Sequence, residues 1–223
     1  MRRKVLLLLV IVICNMSYSQ ERDECDLLST TSVATSALKF NLREITAKNY
    51  NSNKISIAEK FSLISNSDSI ENVLKSKYPK LFKKKNNKFV FETFDGKNIT
   101  VHNNLVQDKT YMTYTFKALY KNYVIIFQNY YEGSSSILID TKTNAVYLLP
   151  DKPYFITDTL VYSYGHYNGG TDLTILDIGK NKALYFTFDN IWFESTYYLS
   201  TDLKFKVKCM ASEETKYLEV FKY

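Results

Sequence analysis

Residues 130–144, YYEGSSSILIDTKTN, and residues 167–181, YNGGTDLTILDIGKN, are two versions of one pattern set 37 residues apart. Tyr130, Gly133, Ser134, Leu138, Ile139, Asp140 and Asn144 align with Tyr167, Gly170, Thr171, Ile175, Leu176, Asp177 and Asn181. Each copy reads as a glycine-containing turn, a short apolar strand ending in aspartate, a connection ending in asparagine, and a returning strand. A hairpin of this kind cannot bury its apolar side alone, so a repeated one implies neighbours stacked on it.

Working outward, the same character continues in both directions. Phe89 to Phe94 and Lys97 to Val101 flank Asp95-Gly96, a dipeptide suited to the positive φ angles of a tight hairpin turn. Further strands are predicted over Tyr111 to Phe116, Tyr123 to Tyr130, Ile137 to Asp140 and Ala145 to Leu149. Pro150 and Pro153 interrupt the pattern. It resumes over Tyr154 to Ile156, Leu160 to Tyr164, Leu173 to Ile178 and Ala183 to Phe188, and closes with Trp192 to Leu199, Leu203 to Met210 and Lys216 to Phe221. The connections are too short for parallel crossovers, so the pairing is antiparallel. The 19 tyrosines and 14 phenylalanines against 6 glycines and 3 prolines agree with this, because large aromatics suit the half-buried surface of a sheet.

The predicted fold class is therefore mainly β, built of antiparallel meanders of propeller-blade type, with a smaller, partly helical N-terminal segment. Residues 89–223 hold only about three such units, whereas closed propellers use about four to eight blades. The array is incomplete by this count, and its edges need covering by residues 20–88 or by self-association.

The amino terminus carries Arg2, Arg3 and Lys4, then an apolar run from Val5 to Cys14, then small residues at Ser17 and Ser19. That layout predicts a signal peptide over residues 1–19, with Gln20 first in the mature chain. The apolar run is too short to span a bilayer, which takes roughly 20 residues. A weaker reading acylates Cys14, but Ile13 stands where a lipid-attachment signal wants a small residue. Removing Arg2, Arg3 and Lys4 from 29 basic residues leaves 26 against 23 acidic ones. That balance argues against nucleic acid as a partner. No second long apolar segment follows, so the predicted location is the periplasm or cell envelope, with the extracellular space as an extension.

Export leaves Cys25 and Cys209. An oxidising compartment permits a disulfide between them. The competing reading is a buried free thiol, since Phe205, Val207 and Cys209 alternate with Lys204, Lys206 and Lys208.

Residues 20–66 show no strong period; Leu38, Phe40 and Leu42 alternate like a strand, while Leu38, Leu42 and Ile45 also fit a helical face. A helix is predicted after Asp68, with Glu71 at capping-box spacing and Ile70, Val73 and Leu74 as its apolar stripe. Tyr78 before Pro79 ends it. The basic cluster Lys77, Lys80, Lys83, Lys84, Lys85 and Lys88 reads either as a patch for anionic headgroups or an acidic partner, or as a solvated helix end and loop.

The run Tyr131-Glu132-Gly133-Ser134-Ser135 leading into Ile137 to Thr143, then Leu149-Pro150, Leu173 to Ile178 and Trp192, resembles exported bacterial proteins with propeller-blade-like β repeats. The resemblance covers about residues 123–223 and implies a fold without implying an activity. Where such sequences carry a Ser-Pro-Asp turn, this chain has Asp151-Lys152-Pro153.

Chemistry is sparse. His102 and His166 are the two histidines, and they are far apart in sequence. No zinc spacing, phosphate loop or nucleophile elbow appears. Asp140 to Asn144 and Asp177 to Asn181 have too few oxygen ligands for calcium and read as turns. No cofactor, metal ligand or catalytic residue is assigned. The stretch Tyr164 to Asp172 has the most polar variety. There His166 is a candidate general base oriented by Asp172, or else part of an ordinary hairpin loop. Tyr130, Tyr131, Tyr164, His166, Tyr167, Asn168 and Asp172 form the candidate ligand-binding set, since exposed aromatics stack on flat ligands and anchor interfaces. The function this favours is a non-catalytic binding or interaction protein of the envelope, with an envelope protein or a glycan as partner. The alternatives are an envelope-acting hydrolase and a periplasmic inhibitor or immunity protein.

Overall fold

The computed structural model describes residues 25, 27–28, 31–34, 38, 40–52, 67–79, 82–85, 88–92, 96–167, 169–199 and 202–222. The predicted signal segment lies outside them, as do Asp95, Asn168, Lys80 and Leu81. In chain order come β1 (Thr31–Ala34), β2 (Phe40–Glu44), α1 (Ala47–Asn51), α2 (Ser67–Lys77), β3 (Phe82–Lys85), β4 (Lys88–Glu92) and β5 (Asn98–His102). Then follow β6 (Met112–Tyr120), β7 (Tyr123–Tyr130), β8 (Gly133–Asp140), β9 (Ala145–Leu149), β10 (Tyr154–Phe155), β11 (Leu160–Tyr167) and β12 (Gly170–Asp177). The chain ends with β13 (Lys182–Asp189), β14 (Ile191–Leu199), β15 (Asp202–Cys209) and β16 (Thr215–Lys222).

The strands make four antiparallel sheets that succeed one another along the chain: β3-β4-β5, β6 to β9, β10 to β13 with β1 added, and β14 to β16 with β2 added. They are called here the first to fourth sheets. Both added strands come from the N-terminal segment. β1 runs along the outer edge strand β13, and β2 runs along β16. The ambiguous stretch thus resolves as a strand over Phe40 to Glu44, with Leu38 before it. Pairing along β16 satisfies backbone groups that an isolated helix would leave off the sheet edge.

Three apolar interfaces hold the sheets together. Phe82, Phe91 and Val101 of the first sheet, with Ile70 and Leu74 of α2, pack on Val124, Ile126, Ile137 and Ile139 of the second. Ile125 and Leu138, on the other face of the second sheet, pack on Val161 and Leu176 of the third. Tyr162, Leu173 and Ile175 then pack on Leu203, Phe205 and Leu218 of the fourth. Positions 37 residues apart match in this respect: Leu138 and Ile175 each face the following sheet, and Ile139 and Leu176 each face the preceding one. Each fully buried aliphatic side chain of this kind contributes roughly 2–5 kcal/mol against truncation to alanine.

The two end faces differ from these interfaces. On the fourth sheet Lys204, Lys206 and Lys208 point away from the core, where Lys206 pairs with Glu194 at 2.5 Å. Lys204 is buried under α1, donating to the Asn49 carbonyl at 2.9 Å and lying 3.7 Å from the buried Glu219, which also takes Arg43. On the first sheet the outward positions include Lys83, Thr100 and Glu92. Among the described residues no apolar cluster joins the first sheet to the fourth, and polar outward faces are how a stack of repeating layers terminates.

Several local expectations are corrected. In α2, Ile70 and Leu74 are buried but Val73 is exposed; Glu71 takes the third buried place, paired with Lys75 one turn on. Phe82–Lys85 is a strand rather than a loop after the helix, which gives its lysines the role of blunting a sheet edge. β4 and β5 pair from Glu92↔Asn98 and Gly96 has φ +77°, while residues 93–95 of the expected turn lie outside the described residues. Asn144 and Asn181 both take the left-handed conformation, at φ 58° and 51°, and so end their turns as the aligned sequence requires.

Cys25 and Cys209 are joined by a disulfide with Cα atoms 5.6 Å apart. The Cys25 carbonyl also accepts from Lys216 Nζ at 2.9 Å. The N-terminal segment is thereby fixed beside the last sheet.

Candidate functional site

The β7–β8 and β11–β12 hairpins end at the same side of the stack. Their last cross-strand pairs are Tyr130↔Gly133 and Tyr167↔Gly170. Each turn therefore has two residues, Tyr131-Glu132 in one and Asn168-Gly169 in the other. This corrects the reading of Tyr164 to Asp172 as a loop: all but the turn itself is strand.

Between the two hairpin ends lies an open cleft of about 770 Å³, lined by Tyr130, Tyr131 and Glu132 from one side and by His166, Tyr167 and Asp172 from the other. Lys109 stands at its rim and Pro150 and Gly165 form part of its wall. The lysine belongs to a loop in which Asp108 Oδ1 accepts from the Thr110 amide at 2.7 Å and from its hydroxyl at 2.6 Å. Those bonds keep the Asp108 carboxyl below its ordinary pKa, the hydroxyl contributing most.

Hydroxyl contacts fix the orientation of two of the tyrosines. Tyr130 donates to Gln128 Oε1 at 3.0 Å and also meets Ser135 Oγ at 2.9 Å, and Ser135 donates to the same Gln128 oxygen at 2.9 Å. Tyr167 donates to Asp189 Oδ1 at 2.8 Å. Burial and, after it, that aspartate push the Tyr167 hydroxyl up to about 12, because ionisation would place a second negative charge beside Asp189. Tyr131 is 57% exposed and carries its ring into solvent at the turn.

His166 and Asp172 do not form a dyad. Asp172 is the cross-strand partner of Gly165, and His166 that of Thr171, so the two side chains leave opposite faces of the hairpin. His166 Nδ1 meets Thr171 Oγ1 at 2.9 Å, and that hydroxyl donates to the Ile191 carbonyl at 2.7 Å. Nδ1 is therefore the donor, in the tautomer this network sets. The imidazole stacks on Trp192, with centroids 4.6 Å apart and planes 10° apart. Burial lowers the His166 pKa, opposed by Asp151 and the Phe193 carbonyl. Asp172 instead accepts from Thr187 at 2.9 Å.

Tyr164 is placed elsewhere. It continues a ladder of near-parallel rings, Tyr154, Tyr162 and Tyr164, and meets Phe205 edge-on across the interface between the third and fourth sheets. Burial raises its pKa well above the ordinary tyrosine value. The deeper Tyr162 is raised further. Its hydroxyl and that of Thr196 are buried without a hydrogen bond of good geometry, each the other's polar neighbour. Asn168 lies outside the described residues.

The wall of the cleft explains the irregular connection after β9. Ser136 of the second sheet and Ser163 of the third, both fully buried, donate to the Asp151 carbonyl at 2.6 and 2.8 Å, and the Asp151 amide returns to Ser163 at 3.0 Å. A Cβ at Gly165 would lie 2.5 Å from the Pro150 oxygen, so only glycine lets this segment pass. Lys109, Glu132, Pro150 and Gly165 were not legible as site residues. Glu132 had a signal through its place in the aligned hairpin, and Gly165 through its place in the polar stretch Tyr164 to Asp172.

Asp140 is spent locally: its oxygens accept from Asn122 Nδ2 at 2.5 Å, the Lys142 amide at 2.9 Å and Thr143 Oγ1 at 3.0 Å. Asp177 does the same for the Lys180 amide at 3.1 Å. Both are turn-forming aspartates. Compared with known proteins, the chain matches no family model, no curated protein and no solved structure.

Proposed function

We propose that this chain is a non-catalytic binding protein of the bacterial cell envelope, exported by residues 1–19, whose repeated hairpins hold a glycan between their ends. The observation that carries this is the cleft between Tyr130-Tyr131 and Tyr167, about 770 Å³ and open to solvent. Sugars offer flat C–H faces and a ring of hydroxyls. The cleft answers with tyrosine rings, two of them already oriented by their own hydrogen bonds, and with Lys109, Glu132 and Asp172 as polar partners. Rings fixed before binding lose little entropy on contact. Support for export comes from the layout of the amino terminus and from the Cys25–Cys209 disulfide, a bond that reducing cytosol does not sustain.

The hydrolase alternative loses its candidate base, since His166 is turned towards Thr171 and Trp192 and away from Asp172. The test is titration of the chain from Gln20 onward with soluble peptidoglycan fragments and chitooligosaccharides, followed by calorimetry. Saturable binding is expected, weakened roughly tenfold by Tyr131→Ala, equivalent to about 1.4 kcal/mol for a lost stacking ring. The absence of binding at millimolar fragment, or binding indifferent to both Tyr131→Ala and Tyr167→Ala, refutes the reading.

A further inference from the structure

A second open feature lies on the outer edge of the second sheet, where its groove shares Pro150 and Asp172 with the cleft wall. β9 and the first five residues of β13 occupy matching places. Each follows an asparagine in the left-handed conformation, Asn144 or Asn181, and each is the outermost strand of its meander. Counting from those asparagines, Tyr147, Leu148 and Leu149 stand where Leu184, Tyr185 and Phe186 stand in the third sheet. There β13 carries an added antiparallel strand, β1, in the register Ala34↔Leu184, Val33↔Tyr185 and Ser32↔Phe186. Among the described residues β9 pairs with β8 alone.

The β9 edge also lacks protection. Its sequence, Ala145-Val146-Tyr147-Leu148-Leu149, contains no charge and no proline, whereas the edge strand β3 carries Lys83, Lys84 and Lys85. Charged residues on an edge are the usual guard against pairing with another chain. Leu148 is 65% exposed, and beside it runs a groove of about 340 Å³ bounded by Leu148, Leu149, Tyr185 and Phe186.

We propose that β9 receives an extended segment of another protein as an added antiparallel strand, in the way that β13 receives β1. The segment carries small and β-branched side chains, as β1 does with Thr31-Ser32-Val33-Ala34. The backbone ladder supplies affinity, and the groove selects the side chains that alternate towards it. A second copy of this chain paired through its own β9 is an outcome that sedimentation in the test separates from the proposed segment. The inference does not depend on the glycan reading of the cleft.

The probe is a fluorescein-labelled peptide of residues 29–36, STTSVATS, titrated into the full chain from Gln20, with amide hydrogen exchange read at those of Ala145 to Leu149 whose amides face away from β8. Saturable binding is expected, together with slowed exchange of those amides. Leu148→Lys is expected to weaken it at least tenfold with an unchanged circular dichroism spectrum, and the peptide carrying Val33→Pro should not bind. Three results overturn the proposal: no binding at about 1 mM peptide, binding that Leu148→Lys leaves unchanged, or protection without peptide of the β9 amides that face away from β8. The last would place another part of this chain, or a second copy seen by sedimentation, on the edge.

Discussion

Gly133 and Gly170 occupy the same place in the aligned sequence, yet the structure assigns them opposite responses to a methyl group. A Cβ built at Gly133 meets nothing within 4 Å. At Gly170 the same atom falls 2.0 Å from the Phe188 carbonyl oxygen and 2.9 Å from the Tyr167 hydroxyl. Real Cβ atoms do not approach closer than 3.0 Å, so β13 must retreat by about 1 Å at a point where its own backbone is paired to β12. Neither glycine has a positive φ that would strain alanine on its own account. Gly133→Ala should therefore stabilise by about 0.4–1 kcal/mol, through the reduced freedom of the unfolded chain. Gly170→Ala should destabilise by about 2 kcal/mol or more, the usual cost of overpacking a region that cannot yield easily. Urea unfolding followed by circular dichroism measures both from the shift in midpoint at constant slope. Equal effects of the two substitutions, or a stabilising Gly170→Ala, would refute the geometry of the β11–β12 hairpin and with it the shape of the cleft wall.

The disulfide closes a loop of 184 residues, for which the chain-entropy model gives about 5 kcal/mol. The Cys25→Ser/Cys209→Ser double variant should lose stability of that order in urea, and a loss under about 1 kcal/mol would show that other contacts already fix the N-terminal segment. For His166, burial keeps the imidazole neutral in the fold, whereas the unfolded chain takes up the proton near pH 6.5. Its contribution to stability is thus fully present above that pH and is lost as pH falls towards the lower folded value. Because Trp192 is the single tryptophan and stacks on this ring, its emission should titrate with a midpoint below 6.5. His166→Gln should abolish that midpoint, and a midpoint above 6.5, or one that persists in the variant, would contradict the burial.

The strands were legible because their signals are local. Leu138 and Ile175 could be assigned to one face and Ile139 and Leu176 to the other from alternation alone, and the asparagines at 144 and 181 announced the turns. What escaped was set by partners distant in sequence. The ambiguity at Leu38 to Ile45 is settled by β16, far along the chain, since Phe40 pairs with Lys222 and Leu42 with Val220. Leu38 lies just outside that strand. Phe82–Lys85 looked like a solvated loop because three lysines mask a strand whose inward residue, Phe82, meets Phe91 edge-on at 5.0 Å. The site divides in the same way. Tyr130, Tyr131 and Tyr167 sit at hairpin ends that the repeat makes adjacent. The failed His166–Asp172 pairing follows from reading strand as loop beyond Tyr164, because in a strand neighbours in sequence face opposite ways. Lys109 reaches the cleft through a loop whose course depends on Asp108 and Thr110, which carries no periodic signal at all.

The charged end faces imply a way for molecules of this design to change length. Leu138 and Ile175 show that an interior layer presents the same greasy side to whichever layer follows it, while Lys83 at one terminus and Lys206 at the other pair only with carboxylates of their own sheet, Glu92 and Glu194. Duplicating one 37-residue unit in the gene would then slide a new layer into the middle, create one more dry seam, and leave both wet ends untouched. Deleting either terminal layer would instead strip a dry seam bare.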